Sequence, residues 1–259
     1  MFLEQSVIKY HKSSILEDES LVHAFTTRIG GTTPPPLNTF SLGTAGMNEY
    51  KPYVEANRES ICKILGLDKS LIINPSQEHT DNIKVVRDLN QDLSSTDGVI
   101  TDVKGLVLLL LFADCVPIII YSKKKEIVGV IHAGWRGTAK KIAAKAVKIF
   151  INEFNADPEE LTAAIGPSIG QCCYPVGNEA AEELAQTITN NHDKIFKKEP
   201  EADKIKVDLK EINSEQLKES GVLNIDISPH CTCCLNTLFY SYRADKGITG
   251  RQGAIAALK

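Results

Sequence analysis

The segment from Val107 to Thr138 constrains this chain most. It reads V-L-L-L-L-F-A-D-C-V-P-I-I-I-Y-S-K-K-K-E-I-V-G-V-I-H-A-G-W-R-G-T. Its apolar runs are dense in Val, Leu and Ile and do not alternate with polar residues. That is the pattern of strands covered on both faces, so the fold must supply a layer on either side of them. Two runs meet at Asp114-Cys115, and a third ends at His132 before a Gly-rich turn carrying Trp135 and Arg136. A thiol, an imidazole and a guanidinium are thus delivered by strand ends and a tight turn, where the backbone holds them rigidly.

The remainder supplies the covering layers. Residues 1–29 read as strands, with L-V-H-A-F-T-T (21–27) rich in β-formers, and T-T-P-P-P-L-N after them must be a loop. Residues 52–66 predict a helix, with Pro52 in the first turn and Gly66 just past the end. Short strands flank Gln77–Thr80. From Thr138 to Phe154 the period becomes helical, with Ala139, Ile142, Ala143, Ala146, Val147, Phe150 and Phe154 on one face. A strand follows at Leu161–Ile165, then a helix at Asn178–Ile188 with Asn178 as its N-cap. Residues 190–206 read as a charged surface excursion. A helix at Asp208–Ser220, a strand at Leu223–Ile227, a β-like L-F-Y-S-Y-R and a last strand from Arg251 complete the chain. With no repeat or linker, the pattern predicts one α+β domain over residues 1–259.

Composition excludes several classes. The net charge of −4 comes with no basic block, which argues against a nucleic-acid or anionic-membrane binder. The N-terminal M-F-L-E-Q-S-V-I-K-Y-H-K has no continuous apolar run, so no secretory signal is expected. Leu106–Tyr121 is interrupted by Asp114 and Pro117 and is too short to span a bilayer. Seven cysteines, an odd number in a chain too large to need staples, point to the reducing cytoplasm.

Four constellations could carry chemistry. His79, Cys115 and His132 offer two imidazoles and a thiolate, a donor set for zinc that leaves a fourth position open. Their intervals of 36 and 17 residues match no compact finger motif. Cys115 and His132 alone could instead form a metal-free nucleophile and base. Cys172-Cys173 with Cys231, Cys233 and Cys234 form a third group. Cys231 and Cys234 have C-x-x-C spacing, as a structural four-cysteine zinc site would need, but C-C lacks the usual spacer, so these thiols read rather as buried or loop-packing. The fourth is Arg28, Arg136, Arg243 and Arg251, turn-borne guanidiniums suited to a phosphate. No P-loop and no dinucleotide fingerprint is present.

At H-A-G-W-R-G-T (132–138) the chain resembles the laccase-domain proteins once called multicopper polyphenol oxidases and now regarded as purine nucleoside phosphorylases. The likeness runs almost end to end, through F-T-T-R-I-G-G (25–31), Gln77–His79, D-G-V-I-T-D (97–102), A-D-C-V-P-I (113–118), I-G-P-S-I-G-Q-C-C-Y (165–174), C-T (231–232), S-Y-R (241–243) and T-G-R-Q (249–252). The resemblance implies a layered α/β/β/α sandwich and a zinc held by His79, Cys115 and His132. It also implies phosphorolysis of adenosine, inosine, guanosine and S-methyl-5'-thioadenosine, with adenosine deamination beside it. Copper-dependent phenol oxidation is the family's older attribution. The chain departs from the family pattern at Ser41, where Asn is common, at Met47–Glu49, and in the residues around His79.

The resulting expectation places Cys115, His132, Arg28 and Asp114 in the chemistry, with Arg28 and Arg136 neutralising phosphate and Asp114 as the nearest proton carrier. Gln77, Arg136 and Arg243 are expected against the substrate. The expected cofactor is Zn2+, with Cu2+ serving only an oxidase side activity. The expected partners are purine nucleosides and phosphate, with the protein a monomer or homodimer. Six histidines and no H-x-H pair are too few for a multicopper array.

Overall fold

The computed structural model describes residues 8–198 and 204–259. In chain order its strands are β1 Tyr10–His11, β2 Leu21–Thr26, β3 Ile72–Ile73, β4 Ile83–Val85, β5 Gly98–Thr101, β6 Val107–Phe112, β7 Val116–Ser122, β8 Ile127–Ala133, β9 Thr162–Ile165, β10 Pro175–Val176, β11 Phe196–Lys198, β12 Ile205–Val207, β13 Asn224–Ile227 and β14 Gln252–Leu258. The α-helices are α1 Lys51–Leu65, α2 Trp135–Ala139, α3 Ile142–Phe154, α4 Asn178–Ala185, α5 His192–Ile195 and α6 Leu209–Glu219.

Two mixed sheets carry the fold. One runs β1-β2-β14-β6-β3 and the other β13-β9-β7-β8-β5-β4, while β10-β12-β11 form a small third sheet. The apolar strands behave as their lack of alternation predicts, because each face meets a different layer. From β6, Leu108, Leu110 and Phe112 pack against Ile119, Tyr121, Val128 and Val130 of the facing sheet. Val107 and Leu109 turn the other way, towards Ile61 of α1 and the loop residues Phe40 and Leu42. In β7, Ile118 and Ile120 face α3 and α6, where Ala143, Val147, Phe150 and Ile212 complete the outer core. The order is therefore helix, sheet, sheet, helices, the expected α/β/β/α sandwich. Burying one Leu or Phe side chain in such layers contributes roughly 1.5–3 kcal/mol.

Local chemistry sets the ends. Gly66 closes α1 at φ 69°, a left-handed conformation open to glycine. Asp208 caps α6 by accepting from the backbone N–H groups of Lys210 and Glu211. Such a cap stabilises by about 1 kcal/mol.

Several boundaries differ from expectation. The helical run from Thr138 is two helices, because Lys141 at φ 59° breaks α2 from α3. The cap of α4 is Gly177 and not Asn178, and the helix ends at Ala185. The excursion at 190–206 contains α5, β11 and β12. L-F-Y-S-Y-R is a series of turns although it is rich in β-formers, since Phe239 and Tyr240 are buried by packing and not by strand pairing. The expected strands over residues 1–29 fall partly outside the described residues.

Candidate metal centre

The site lies where the chain crosses between the sheets. β6 belongs to one sheet and β7 to the other, so Ala113–Cys115 is a short bridge between them. The loop from β3 to β4 makes a second crossing and carries His79. β8 delivers His132 at its end, paired with Pro117 beside Cys115. The two imidazoles and the thiol consequently meet, with their ligand atoms all within 4.8 Å of one another. The His79 and His132 rings stand edge to face with centroids 5.0 Å apart.

The backbone around these residues is strained and held. His79 sits at φ 59° and Asp114 at φ 92°, conformations that cost a non-glycine residue roughly 1–3 kcal/mol each. Asp97 over-determines the first. Its carboxylate accepts from the backbone N–H groups of Glu78, His79 and Thr80 and from the Thr80 hydroxyl. It also meets His132 Nδ1 at 2.7 Å, which leaves Nε2 to face Cys115 and His79. Asp114 is fixed by the Thr232 hydroxyl at 2.6 Å and the Arg243 backbone N–H at 2.7 Å.

The glycines of H-A-G-W-R-G-T explain that motif. A Cβ at Gly134 would lie 3.0 Å from His79 Cδ2 and 3.2 Å from Cys115 Sγ. One at Gly137 would lie 2.9 Å from the Thr80 carbonyl oxygen, so only glycine lets α2 approach the His79 loop this closely.

Electrostatics favour a thiolate. Burial opposes ionisation of Cys115, but the charge and hydrogen bond of His132 and the hydrogen bond of His79 outweigh it and draw the thiol down to about 6. Burial likewise opposes charge on His132, and the Cys115 thiolate and Asp97 outweigh it, raising the imidazole to about 9. Burial also works against the Asp97 carboxylate, yet His132 and Thr80 hold it at about 2. A metal ion taking these ligands would displace the His132 proton.

A cavity of about 580 Å³ opens over the triad, within the range of small-molecule sites. Its walls include Gln77, Tyr174, Tyr242, Arg243 and Arg251, with Gly43–Gly46 along one side. Arg251 is partly buried, and that burial pulls its pKa below the usual arginine value against the opposing charges of Cys115, Tyr242 and Asp114. Ser41 seats it by accepting from the Arg251 backbone N–H while donating to the Gly43 carbonyl.

Not every expected residue reaches this cavity. Arg28 does not line it. Its guanidinium donates to the Asn38 and Asn236 carbonyls, pairs with Asp245 and lies over the Tyr240 ring, so it ties loops together. Arg136 lies over the Trp135 ring and borders a separate groove beside α4. Gln77 lines the cavity, yet its amide exchanges two hydrogen bonds with the Leu111 backbone, extending the edge of β6. Both Asp114 oxygens are engaged by Thr232 and Arg243, which makes it a clamp on the cavity wall. Asp97 was visible in sequence only as the start of D-G-V-I-T-D, whereas Arg251 stood among the four turn-borne arginines. The other histidines lie elsewhere: His23 accepts from the Ser13 N–H, His192 stacks on Phe196, and His11 and His230 meet edge to face.

Among the described residues no helix is long and apolar enough to cross a membrane. The profile of the family described as multi-copper polyphenol oxidoreductase laccase matches residues 22–259. The purine nucleoside phosphorylase YlmD of Bacillus subtilis is 32% identical over 93% of this chain and 90% of its own length. The adenosine deaminase RL5, from an unknown prokaryotic organism, is 35% identical over 72% of this chain and 74% of its own. The crystal structure of the hypothetical protein YfiH from Bacillus licheniformis superposes with a TM-score of 0.87 at 35% identity, covering 92% of this chain and 93% of that one. With its layered fold and its two-histidine, one-cysteine centre between the sheets, the chain belongs to the multi-copper polyphenol oxidoreductase laccase family.

Proposed function

We propose that the chain is a zinc-dependent purine nucleoside phosphorylase, cleaving adenosine, inosine, guanosine and S-methyl-5'-thioadenosine with phosphate and also deaminating adenosine. The observation that carries this reading is one cavity with His79, Cys115 and His132 in its lining and Arg243, Arg251, Tyr174 and Tyr242 around them. The names of the relatives supply the substrate class.

The residues fit zinc. Two imidazoles and a thiolate are its preferred donors, three protein ligands leave an open position, and Gly134 keeps a Cβ out of the space they share. Asp97 orients His132 from behind. When bound, zinc supplies Lewis-acid character to an oxygen of phosphate or water. Arg251 and Arg243 hold the phosphate dianion through their guanidinium forks and direct one oxygen towards the sugar. Tyr174 and Tyr242 offer flat faces to the purine. In the reaction a phosphate oxygen bonds to the anomeric carbon as the glycosidic bond breaks. The bonding pair leaves with the purine nitrogen, which takes up the proton that the hydrogen phosphate gives up on becoming the sugar phosphate. Arg28 and Asp114 serve as positioning residues, through the loops they tie.

Deamination is favoured as a second activity by the relative named adenosine deaminase. Copper oxidation would have to work with two of the six histidines, because the other four lie outside the centre. A metal-free thiol hydrolase would use the Cys115–His132 pair.

The test is product analysis of the zinc-loaded protein with adenosine, with and without phosphate. Adenine formed only with phosphate supports phosphorolysis, and inosine supports deamination. Cys115→Ala is expected to lose both. Neither product with zinc bound, or turnover surviving complete chelation, would overturn the proposal.

A further inference from the structure

A second cluster of sulfur lies outside the triad, just behind the cavity wall that carries Tyr174 and Arg243. Cys172, Cys173, Cys231 and Cys234 bring their Sγ atoms within 4.8 Å of one another. Adjacent residues usually send their side chains apart. The tight turn at Gln171–Cys173 instead aims both thiols at one partner, and the Cys172 and Cys173 sulfurs each lie 3.4 Å from Cys234 Sγ. These thiols were expected to be buried or loop-packing, yet Cys172 and Cys234 are exposed and all four are unpaired.

We propose that Cys172, Cys173, Cys231 and Cys234 hold a second metal ion, a structural zinc that joins the 170–174 turn to the 231–235 turn. Zinc–thiolate bonds of about 2.3 Å place the corners of a tetrahedron about 3.8 Å apart. The two separations of 3.4 Å lie close to that value and none of the others exceeds 4.8 Å, too short to surround a cluster of several iron atoms. They are also far longer than the roughly 2.05 Å of a disulfide.

Backbone donors stabilise a thiolate at Cys231. The Gly170 N–H points at Cys231 Sγ at 3.2 Å, and the Cys234 N–H makes a second bond to the same sulfur across the C-x-x-C turn. A side chain at Gly170 would crowd the cluster, since a Cβ there would lie 3.3 Å from Cys172 Sγ and 3.2 Å from Cys231 Cβ. Binding replaces four S–H bonds by four S–Zn bonds and releases four protons, with no change of oxidation state. Four protein ligands close the coordination shell, which marks a structural ion.

The cluster adjoins groups that shape the cavity. Tyr174 follows Cys173 directly. Thr232 follows Cys231, and its hydroxyl fixes Asp114 beside Cys115. Arg243 Nη1 donates to the Cys173 carbonyl. The ion would therefore brace the wall that carries Tyr174 and Arg243.

The test reads metal and not turnover, so it stands apart from the nucleoside assignment. The full chain, purified under reducing conditions with zinc, is weighed by native mass spectrometry and assayed for metal content. Two zinc ions per chain are expected. Cys115→Ser should retain one, Cys172→Ser and Cys234→Ser should each retain one, and Cys233→Ser should keep two. Cobalt added to Cys115→Ser should give the intense visible bands of tetrahedral four-thiolate coordination, absent when Cys234→Ser is combined with it. This spectroscopic arm holds even if one cysteine variant folds poorly. One zinc per wild-type chain with these four thiols freely reactive would overturn the proposal. So would a disulfide from Cys234 to Cys172 or Cys173, or loss of the second ion in Cys233→Ser.

Discussion

Asp97 is buried and accepts five hydrogen bonds, four from the turn that carries His79 and one from His132. Asp97→Asn keeps the shape and replaces one oxygen by an amide NH2. If the NH2 takes the place of Oδ1, it faces the His79 N–H and His132 Nδ1. If it takes the place of Oδ2, it faces the backbone N–H groups of Glu78 and Thr80. At least two donors, those on the His79 turn part-buried, lose their acceptor in either orientation, at about 1–3 kcal/mol each. The expected loss of about 2–6 kcal/mol is a large share of the roughly 5–15 kcal/mol that stabilises a typical folded chain. Metal affinity should fall about 10–100-fold, as when the partner behind a ligating imidazole is removed. Urea unfolding of the zinc-free protein reads the first quantity, and competition with a chromophoric chelator reads the second. An unchanged midpoint with zinc affinity within about twofold of wild type, well short of that loss, would refute the claim that Asp97 orients the centre.

Gly134→Ala should weaken zinc binding about tenfold or more through crowding of the ligands and leave circular dichroism unchanged. The backbone there, at φ −71°, accepts alanine, so only the space against His79 and Cys115 is at stake. Arg251→Met should raise the KM for phosphate about 10-fold or more, the loss expected for one charged hydrogen-bonding group, whereas Arg28→Met should lower the thermal midpoint and leave that KM near wild type; the opposite pattern would return the phosphate to Arg28. His23 is held neutral chiefly by burial, with Lys12 assisting, which lowers its pKa to about 4. The unfolded chain takes the proton first as pH falls, so stability should decline from about pH 6.5 to pH 4 by roughly 3 kcal/mol and then level off. His23→Gln should flatten that part of the pH–stability curve, and an unaltered slope would locate the acid sensitivity elsewhere.

The layers were legible because their cause is local. Unalternating apolar strands need cover on both faces, and β6 and β7 receive it from a sheet on one side and helices on the other. His79 lies on a loop, where a lone histidine reads as a surface residue, but Cys115 and His132 were legible for a related reason: polar residues at the ends of buried strands stand out against them. Asp97 did not, because an Asp before a Gly at a strand start reads as a turn. Its role comes from the register that pairs β5 with β8 and sets Gly98 opposite Ile131, one residue from His132. The arginines show the same boundary. Sequence gives four forks at four turns, but whether a fork meets a ligand or a carbonyl depends on loops distant in the chain. Arg28 reaches the distant Asn236 carbonyl and lies off the cavity, whereas Arg251, seated by Ser41, gives Nη1 to the neighbouring Thr249 and Gly250 carbonyls and lines the cavity. The cysteine cluster also escaped spacing rules, since the bend that aims Cys172 and Cys173 at one partner is visible only in three dimensions.

The arrangement couples metal binding to the docking of the two sheets. His79 and Cys115 lie on chain crossings between the sheets, and His132 lies at the end of β8. No two ligands are near neighbours in sequence, so the unfolded chain must close loops of 36 and 17 residues to assemble the site. An ion held there would therefore bind the folded chain far better than the unfolded one. At a free concentration a hundred times its dissociation constant it would stabilise the fold by about 2.7 kcal/mol. The same linkage runs in reverse: a substitution that loosens the sheet-to-sheet contact at Phe112, whose ring centroid lies 5.2 Å from that of His132, would also weaken binding of the proposed zinc. Metal affinity at this centre is thus a readout of the sandwich itself, which is why added zinc should partly restore the stability of Asp97→Asn.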